Sequence, residues 1–173
     1  RLLGSWGFGE TYVAEDTQRA GSPTCVVKQR RIMSNDPKAH HLGRRFFIRE
    51  AETLEALGAH DQIPRLLAYF EANHSFYLVE EMVEGHLLKD ELASRHPMPQ
   101  LYGLDILRGL LPVVGFVHSQ GVIHRDIKPS NIIRRRADGS LVLIDFGAVK
   151  QITNSLADRD LQQTATVGVG TEG

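Results

Sequence analysis

From residue 38 to residue 57, apolar side chains return at spacings of three and four. Phe47, Glu50, Leu54 and Leu57 fall on one face of the helix this predicts, and Gly58 follows where a C-terminal cap belongs. Glu50 is thus a carboxylate on an otherwise apolar face. Ahead of this helix, residues 11–14 and 24–28 are β-branched and apolar and read as short strands, with turn chemistry at Arg19, Ala20, Gly21, Ser22 and Pro23 between them. Behind it, residues 65–70 and 76–79 read as a hairpin with Asn73 and His74 at its turn, and Glu84-Gly85 breaks the pattern as a linker would. Residues 101–117 hold eleven apolar residues in seventeen, spread round the whole helical wheel, which predicts a helix buried on nearly all sides. A loop at 118–130, a strand at 132–134, an Asp138-Gly139 turn and a strand at 141–144 follow, and from Phe146 onward the chain is polar and irregular. The order is a small antiparallel sheet with one helix, then a mainly helical part.

At 173 residues the chain is one domain or a little more. Lys and Arg number 20 against 21 Asp and Glu, with neither sign gathered in one half, so nothing favours a nucleic-acid partner. Cys25 is the only cysteine, which excludes an internal disulfide and a thiolate zinc site and fits a reducing, cytoplasmic compartment. The uninterrupted apolar stretches, such as residues 110–117, fall far short of the roughly 20 residues of a membrane span. The first residue is Arg1 rather than Met, and the last seven contain three glycines, so both ends read as cut.

The chemistry gathers in a few places. Gly4, Gly7 and Gly9 form a glycine-rich run in which backbone N–H groups could approach phosphate oxygens. A tight hairpin is the plainer reading. A strand rather than a helix follows the run, and Glu10 stands where a P-loop has lysine, so a dinucleotide fold and a P-loop are both excluded. Lys28 ends an apolar strand, and Glu50 is its nearest charge partner by chain order, because an unpaired buried charge costs about 3–5 kcal/mol. The runs His124-Arg125-Asp126-Ile127-Lys128-Pro129-Ser130-Asn131 and Asp145-Phe146-Gly147 concentrate a base, a cation and two oxygen ligands suited to a hard metal ion. Arg134-Arg135-Arg136 reads most simply as a solvated strand end.

Through these runs the chain resembles the protein kinases, most closely the eukaryotic-like serine/threonine kinases of bacteria, over nearly every residue. The resemblance implies an α+β, bilobal kinase fold. Residues 1–83 would form the N-lobe, and residues 84–173 the start of the C-lobe, with the catalytic loop and part of the activation segment. It implies ATP and Mg²⁺ as cofactors and a protein acceptor with a Ser or Thr hydroxyl. Gly4, Gly7, Phe8 and Gly9 would cover the phosphates, Lys28 would hold two of them with Glu50 fixing its position, and Asn131 and Asp145 would bind the metal. Asp126 would accept the hydroxyl proton and Lys128 neutralise the γ-phosphate. The adenine would lie at the hinge on Glu81 and Val83, with Thr11 and Val26 above and Ile133 below, and Glu80 at the back of the pocket. His124, Phe146, Leu54 and Leu66 would form a hydrophobic spine. Arg125 goes with phosphate on a segment that offers Thr153, Ser155, Thr164 and Thr166, and Thr171 would lie near the substrate site.

The sequence departs from the family pattern at Trp6, which replaces the second glycine, at Thr11, which replaces a valine, and at Glu80, a charge where apolar or amide side chains are commoner. It ends before an Ala-Pro-Glu run, so the expectation is an ATP-binding lobe and catalytic loop of a longer kinase. The competing expectation is a catalytically inactive nucleotide-binding or scaffold domain. Such domains commonly lose the lysine or one of the two aspartates, and Lys28, Asp126 and Asp145 are all present.

Overall fold

Strands with an alternating inner face build the first layer. The computed structural model describes residues 1–6, 9–31, 37–58, 60–94 and 99–151. Strands β1 (Leu2–Trp6), β2 (Gly9–Glu15), β3 (Thr24–Arg31), β4 (Leu66–Ala72) and β5 (Ser75–Glu81) form one antiparallel sheet in the order β1-β2-β3-β5-β4. The two-residue turn joining β4 to β5 places Asn73 and His74 at φ 49° and 57°, the left-handed pair that matches the twist of a tight hairpin. In β5, Phe76, Leu78 and Glu80 are buried while Tyr77 and Val79 are not, so every second residue faces inward.

Helix α1 (Pro37–Leu57) covers that inner face. Phe47, Glu50, Ala51, Thr53, Leu54 and Leu57 are its buried positions, a stripe that contains the four its spacing predicts, and Phe47 stacks on Phe76 with ring centroids 4.8 Å apart. Each such apolar side chain contributes about 1.5–3 kcal/mol by leaving water. Gly58 ends the helix where a Cβ would come within 2.9 Å of the Leu54 carbonyl.

Glu84-Gly85 is not the break that the sequence suggests. Residues Gly85–Leu87 form β6, which pairs with β8 (Ile132–Arg135), and β8 pairs with β9 (Leu141–Leu143). Glycine is required at 85 because a side chain there would run into the Arg134 carbonyl. A short helix α2 (Leu88–Ala93) follows β6, and β7 (Val122–Ile123) pairs with β10 (Lys150–Gln151) inside segments that read as irregular. Two-residue ladders carry no periodicity to detect.

The expectation for α3 (Gln100–Ser119) needs the larger correction. Val113 and Val117 are buried, but Leu101, Leu104, Leu107 and Leu111 lie open, Leu101 at 73% of its surface. Apolar character round a helix marks what can be buried, not what this chain buries. By length and composition α3 is also apolar enough to cross a membrane, which counting uninterrupted apolar runs overlooks. It docks here through Gly109, whose missing side chain admits Leu141 at 3.2 Å from the Cβ position, and through Phe116 against His60. Gln62 stitches the layers, its Nε2 donating to the carbonyls of Gly109 and Leu141 at 2.7 Å each and its own carbonyl accepting from Leu143 at 2.9 Å.

Arg134 and Arg135 are partnered rather than simply solvated. Arg134 donates to Glu91 at 2.7 Å, while Arg135 forks between Asp61 and Asp138 at 2.6 Å each. Asp138 also accepts from Ser140, so its carboxyl is held far below the usual carboxylate range, by Arg135 first.

Candidate active site

Strand period two sets the first half of the site. Val26, Lys28 and Arg30 share one face of β3, and on the adjacent β5 Val26 is opposite Glu80 and Lys28 opposite Leu78. Glu80 is therefore the diagonal neighbour of Lys28, within reach of two long side chains. Lys28 Nζ donates to Glu80 Oε1 at 2.8 Å, with the side chains only 14% and 4% exposed. This corrects the pairing inferred from chain order: Glu50, on α1, meets Arg30 at 3.2 Å instead. Burial pulls the Lys28 ammonium down. Glu80, then Glu50, then Asp145 outweigh it and hold the group above the ordinary lysine value. Burial drives the Glu50 carboxyl up against the lowering pull of Arg30 and Lys28, and Glu80 and Asp145 push it the same way.

The second half is the loop between β7 and β8, with the turn that follows β9. A Pro129–Asn131 turn of 3-10 helix brings Asn131 back to Asp126: its Nδ2 donates to the Asp126 carbonyl at 3.0 Å and to Oδ2 at 2.9 Å. Lys128 reaches the same Oδ2 at 2.8 Å, so both contacts fall on one oxygen. The Lys128 bond, then that of Asn131, holds the Asp126 carboxyl below its usual range, so it is ionised at neutral pH. The Asn131 carbonyl in turn accepts from Ile144 N–H at 2.9 Å, next to Asp145. Arg125 and Asp145 hold φ values of 69° and 64°, a left-handed backbone that costs a bulky residue such as arginine. At Gly147, a Cβ would sit 3.0 Å from Arg30 Nη2 and 3.4 Å from both Glu50 Oε2 and Asp145 Oδ1, so the turn presses against the cluster under the sheet.

His124 ties the loop to the strand end. Its Nδ1 accepts from the Asp126 amide at 3.3 Å, which leaves Nε2 carrying the proton and donating to the Ile144 carbonyl at 3.2 Å. Its ring meets Phe146 edge-on at 4.7 Å, both buried in the core that also holds Leu54, with Leu66 packed against it. Burial lowers the imidazole pKa below its ordinary 6.5. As the pH falls, the unfolded chain therefore takes up this proton before the folded one does. Stability contributed here is complete above that value and declines below it by up to about 1.4 kcal/mol per pH unit. Urea melts from about pH 8 to pH 5 should show the stability gap between wild type and His124→Gln constant at the upper end and narrowing at the lower. A gap independent of pH would contradict a buried neutral histidine.

The remaining predicted positions are dispersed as the strands dictate. Gly4 lies in β1 beside an irregularity in its pairing, Gly9 opens β2, and Thr11 pairs opposite Lys28. Val26 and Ile133 are half-buried on β3 and β8, and Val83 follows β5. The Glu81 amide is spent on the Arg65 carbonyl at 2.9 Å and its carboxylate on the Arg65 guanidinium, so its N–H is not offered to a base. Gly7, Phe8, Thr153, Ser155, Thr164, Thr166 and Thr171 lie outside the described residues. A cavity of about 650 Å³ opens behind the hinge, between His60, Arg65, Glu81, Met82, Arg135 and Ala137, and contains none of Lys28, Asp126, Asn131 or Asp145.

Asn131 and Asp145 fit a magnesium ion by their donor chemistry. Both amide hydrogens of Asn131 point at Asp126, which turns its carbonyl oxygen the other way, and Asp145 adds a carboxylate. Among the described residues no three His, Cys, Asp or Glu side chains gather as a metal cage. Two oxygens suffice for an ion that takes its other ligands from phosphate and water. Sequence reasoning missed Arg30 and the pairing role of Glu80. The period-two placement of Lys28 and Arg30 is the signal that could have found the first.

The description "Protein kinase domain" matches residues 1–172. Serine/threonine-protein kinase B of Synechocystis sp. is 49% identical over 175 residues, covering 99% of this chain and 30% of that protein. Serine/threonine-protein kinase PknA of Nostoc sp. is 47% identical, covering 100% of this chain and 31% of that protein. Calcium-dependent protein kinase 4 of Plasmodium berghei is 29% identical, over 95% and 31%. The chain spans about a third of the length of these relatives.

Proposed function

Because this chain belongs to the protein kinase family, we propose that it transfers the γ-phosphoryl group of ATP to serine or threonine hydroxyls of protein substrates in the cytoplasm. The observation that carries this reading is the linkage of Lys28, Asp145 and Asp126 to one another. Asp145 is among the carboxylates acting on Lys28, and Asn131 bonds Asp126 with its side chain and the residue before Asp145 with its backbone. A cation above, a carboxylate beneath and an ionised aspartate at the mouth are what phosphoryl transfer asks of a protein, since positioning and charge neutralisation supply most of the rate.

Residues 1–83 carry the nucleotide-covering lobe. Lys28 binds the inner phosphates, and the hinge around the Glu81 carbonyl and Val83 receives the adenine between Val26 and Ile133. Asn131 and Asp145 would hold Mg²⁺, and the ion would supply charge neutralisation on the phosphates. Asp126 orients the acceptor hydroxyl and takes its proton. Its lowered pKa makes it a weak base, so orientation and negative charge are the larger part of its contribution. Lys128 leaves Oδ2 or shares it as the γ-phosphate arrives. The test is phosphotransfer from Mg·ATP to a generic protein acceptor in the full chain. Phosphoserine or phosphothreonine is expected with wild type and a loss of about 10²-fold or more with Lys28→Met. Nucleotide binding without any transfer would favour the scaffold instead.

A further inference from the structure

Arg30 is the charged residue on the inner face of β3 that the kinase reading leaves without a task. We propose that Arg30 is a positioning residue for the reaction, fixing the Glu50 carboxylate so that Glu50 can hold Lys28 from α1, an assignment that rests on the reading above. Lys28 and Arg30 stand two positions apart on one strand face, roughly 6.8 Å along the chain. Glu50 lies under that face with its side chain only 4% exposed, and its Oε2 is 3.2 Å from Arg30 Nη2. That pair engages one oxygen of the carboxylate and leaves Oε1 for Lys28, on which the Glu50 charge already acts. Lys28 has three N–H donors, so its bond to Glu80 at 2.8 Å leaves two for Glu50 and a phosphate. One helix carboxylate thus serves both cations of the strand.

Two further observations make this a fixing contact. Arg30 is paired opposite Phe76 of β5, and Phe76 stacks on Phe47 at 4.8 Å, one helical turn before Glu50. The sheet therefore grips α1 at two points a turn apart, one apolar and one ionic, and the ionic one sets where the Glu50 carboxylate points. On the other side, a Cβ at Gly147 would meet Arg30 Nη2 at 3.0 Å and both Glu50 Oε2 and Asp145 Oδ1 at 3.4 Å, so these three atoms gather round one point of the turn. Glu50 and Asp145 repel each other there, and the guanidinium beside them offsets the repulsion. With an apolar residue at 30, a buried carboxylate would face like charges with one cation fewer and would swing away from Lys28. Arg30 acts on the phosphates only through Glu50 and Lys28.

The experiment is a double-mutant cycle on phosphotransfer in the full chain, with the Kd of Mg²⁺ and an ATP analogue that cannot be cleaved measured beside it. Arg30→Leu should lower kcat about tenfold, because a misplaced Lys28 loses orientation, and leave that Kd within about threefold. Arg30→Lys restores a cation and should recover most of the turnover. In a Glu50→Gln background Arg30→Leu should change kcat less than about twofold. Unchanged or raised turnover in Arg30→Leu overturns the assignment. So does a loss that is as large in Glu50→Gln, since Arg30 would then act on the fold or on the nucleotide itself. Should Arg30→Leu not fold, a structure of the wild type with the analogue decides. Arg30 and Lys28 both within about 4 Å of the Glu50 carboxylate upholds the assignment, and Glu50 in contact with only one of them overturns it. A wild type that transfers no phosphate would instead overturn the kinase reading itself.

Discussion

Asp126→Asn will lower turnover by about 10²- to 10⁴-fold while nucleotide affinity stays nearly unchanged. The substitution keeps shape and removes the charge and the basic oxygen. The Asn131 bond to the residue 126 carbonyl does not involve the altered group, so the loop should hold its turn. What is lost is the site that aligns the acceptor hydroxyl, because Lys128 and Asn131 both converge on Oδ2 and Oδ1 is the oxygen none of these contacts takes. The pH profile gives an independent check. Asp126 works as the anion, and Lys128 and Asn131 keep its carboxyl below the ordinary range, so activity due to this group is lost only as the pH falls through that lowered value. Lys128→Met removes the larger cause and should move the acid limb upward. Steady-state kinetics with direct nucleotide binding measure both effects. Full turnover in Asp126→Asn would remove the residue from its role.

What could be read before any coordinates follows from range. Helix α1 and the Asn73-His74 turn are local, set by a period of three to four and by two left-handed residues, and they lie where the spacing puts them. The lower layer was less legible: β6 needs β8, its paired residues 46 to 50 positions later in the chain, before Gly85 has any reason to be glycine. The same distance hid the partner of Lys28. Glu80 is 52 residues away and Glu50 only 22, and chain order favours the nearer one until β5 is inserted beside β3. Gln62 carries no motif, and its two bonds across the layers exist only once α3 and β9 have met. The exposed leucines of α3 show the converse, since composition reports a capacity for burial and only packing decides which face is used.

Asp145→Asn should reduce phosphotransfer by about 10³-fold and weaken the dependence of nucleotide binding on Mg²⁺, without lowering the melting temperature. Asparagine tolerates the left-handed backbone that residue 145 adopts, so the turn before Gly147 is preserved. In the resting protein Asp145 raises the Glu50 carboxyl by repulsion, one of three carboxylates sharing two cations under the sheet. Removing its charge leaves two against two and relieves that repulsion. The fold therefore loses nothing that it needs without a ligand, while the reaction loses the only carboxylate of the metal pair. Magnesium titrations of nucleotide binding, set beside thermal melts of both proteins, separate the two effects. A variant that melts earlier and binds Mg·ATP as before would mean that Asp145 serves the turn alone, because a charge held only for structure is missed by the fold, and a charge held for a metal ion is missed only when the ion arrives.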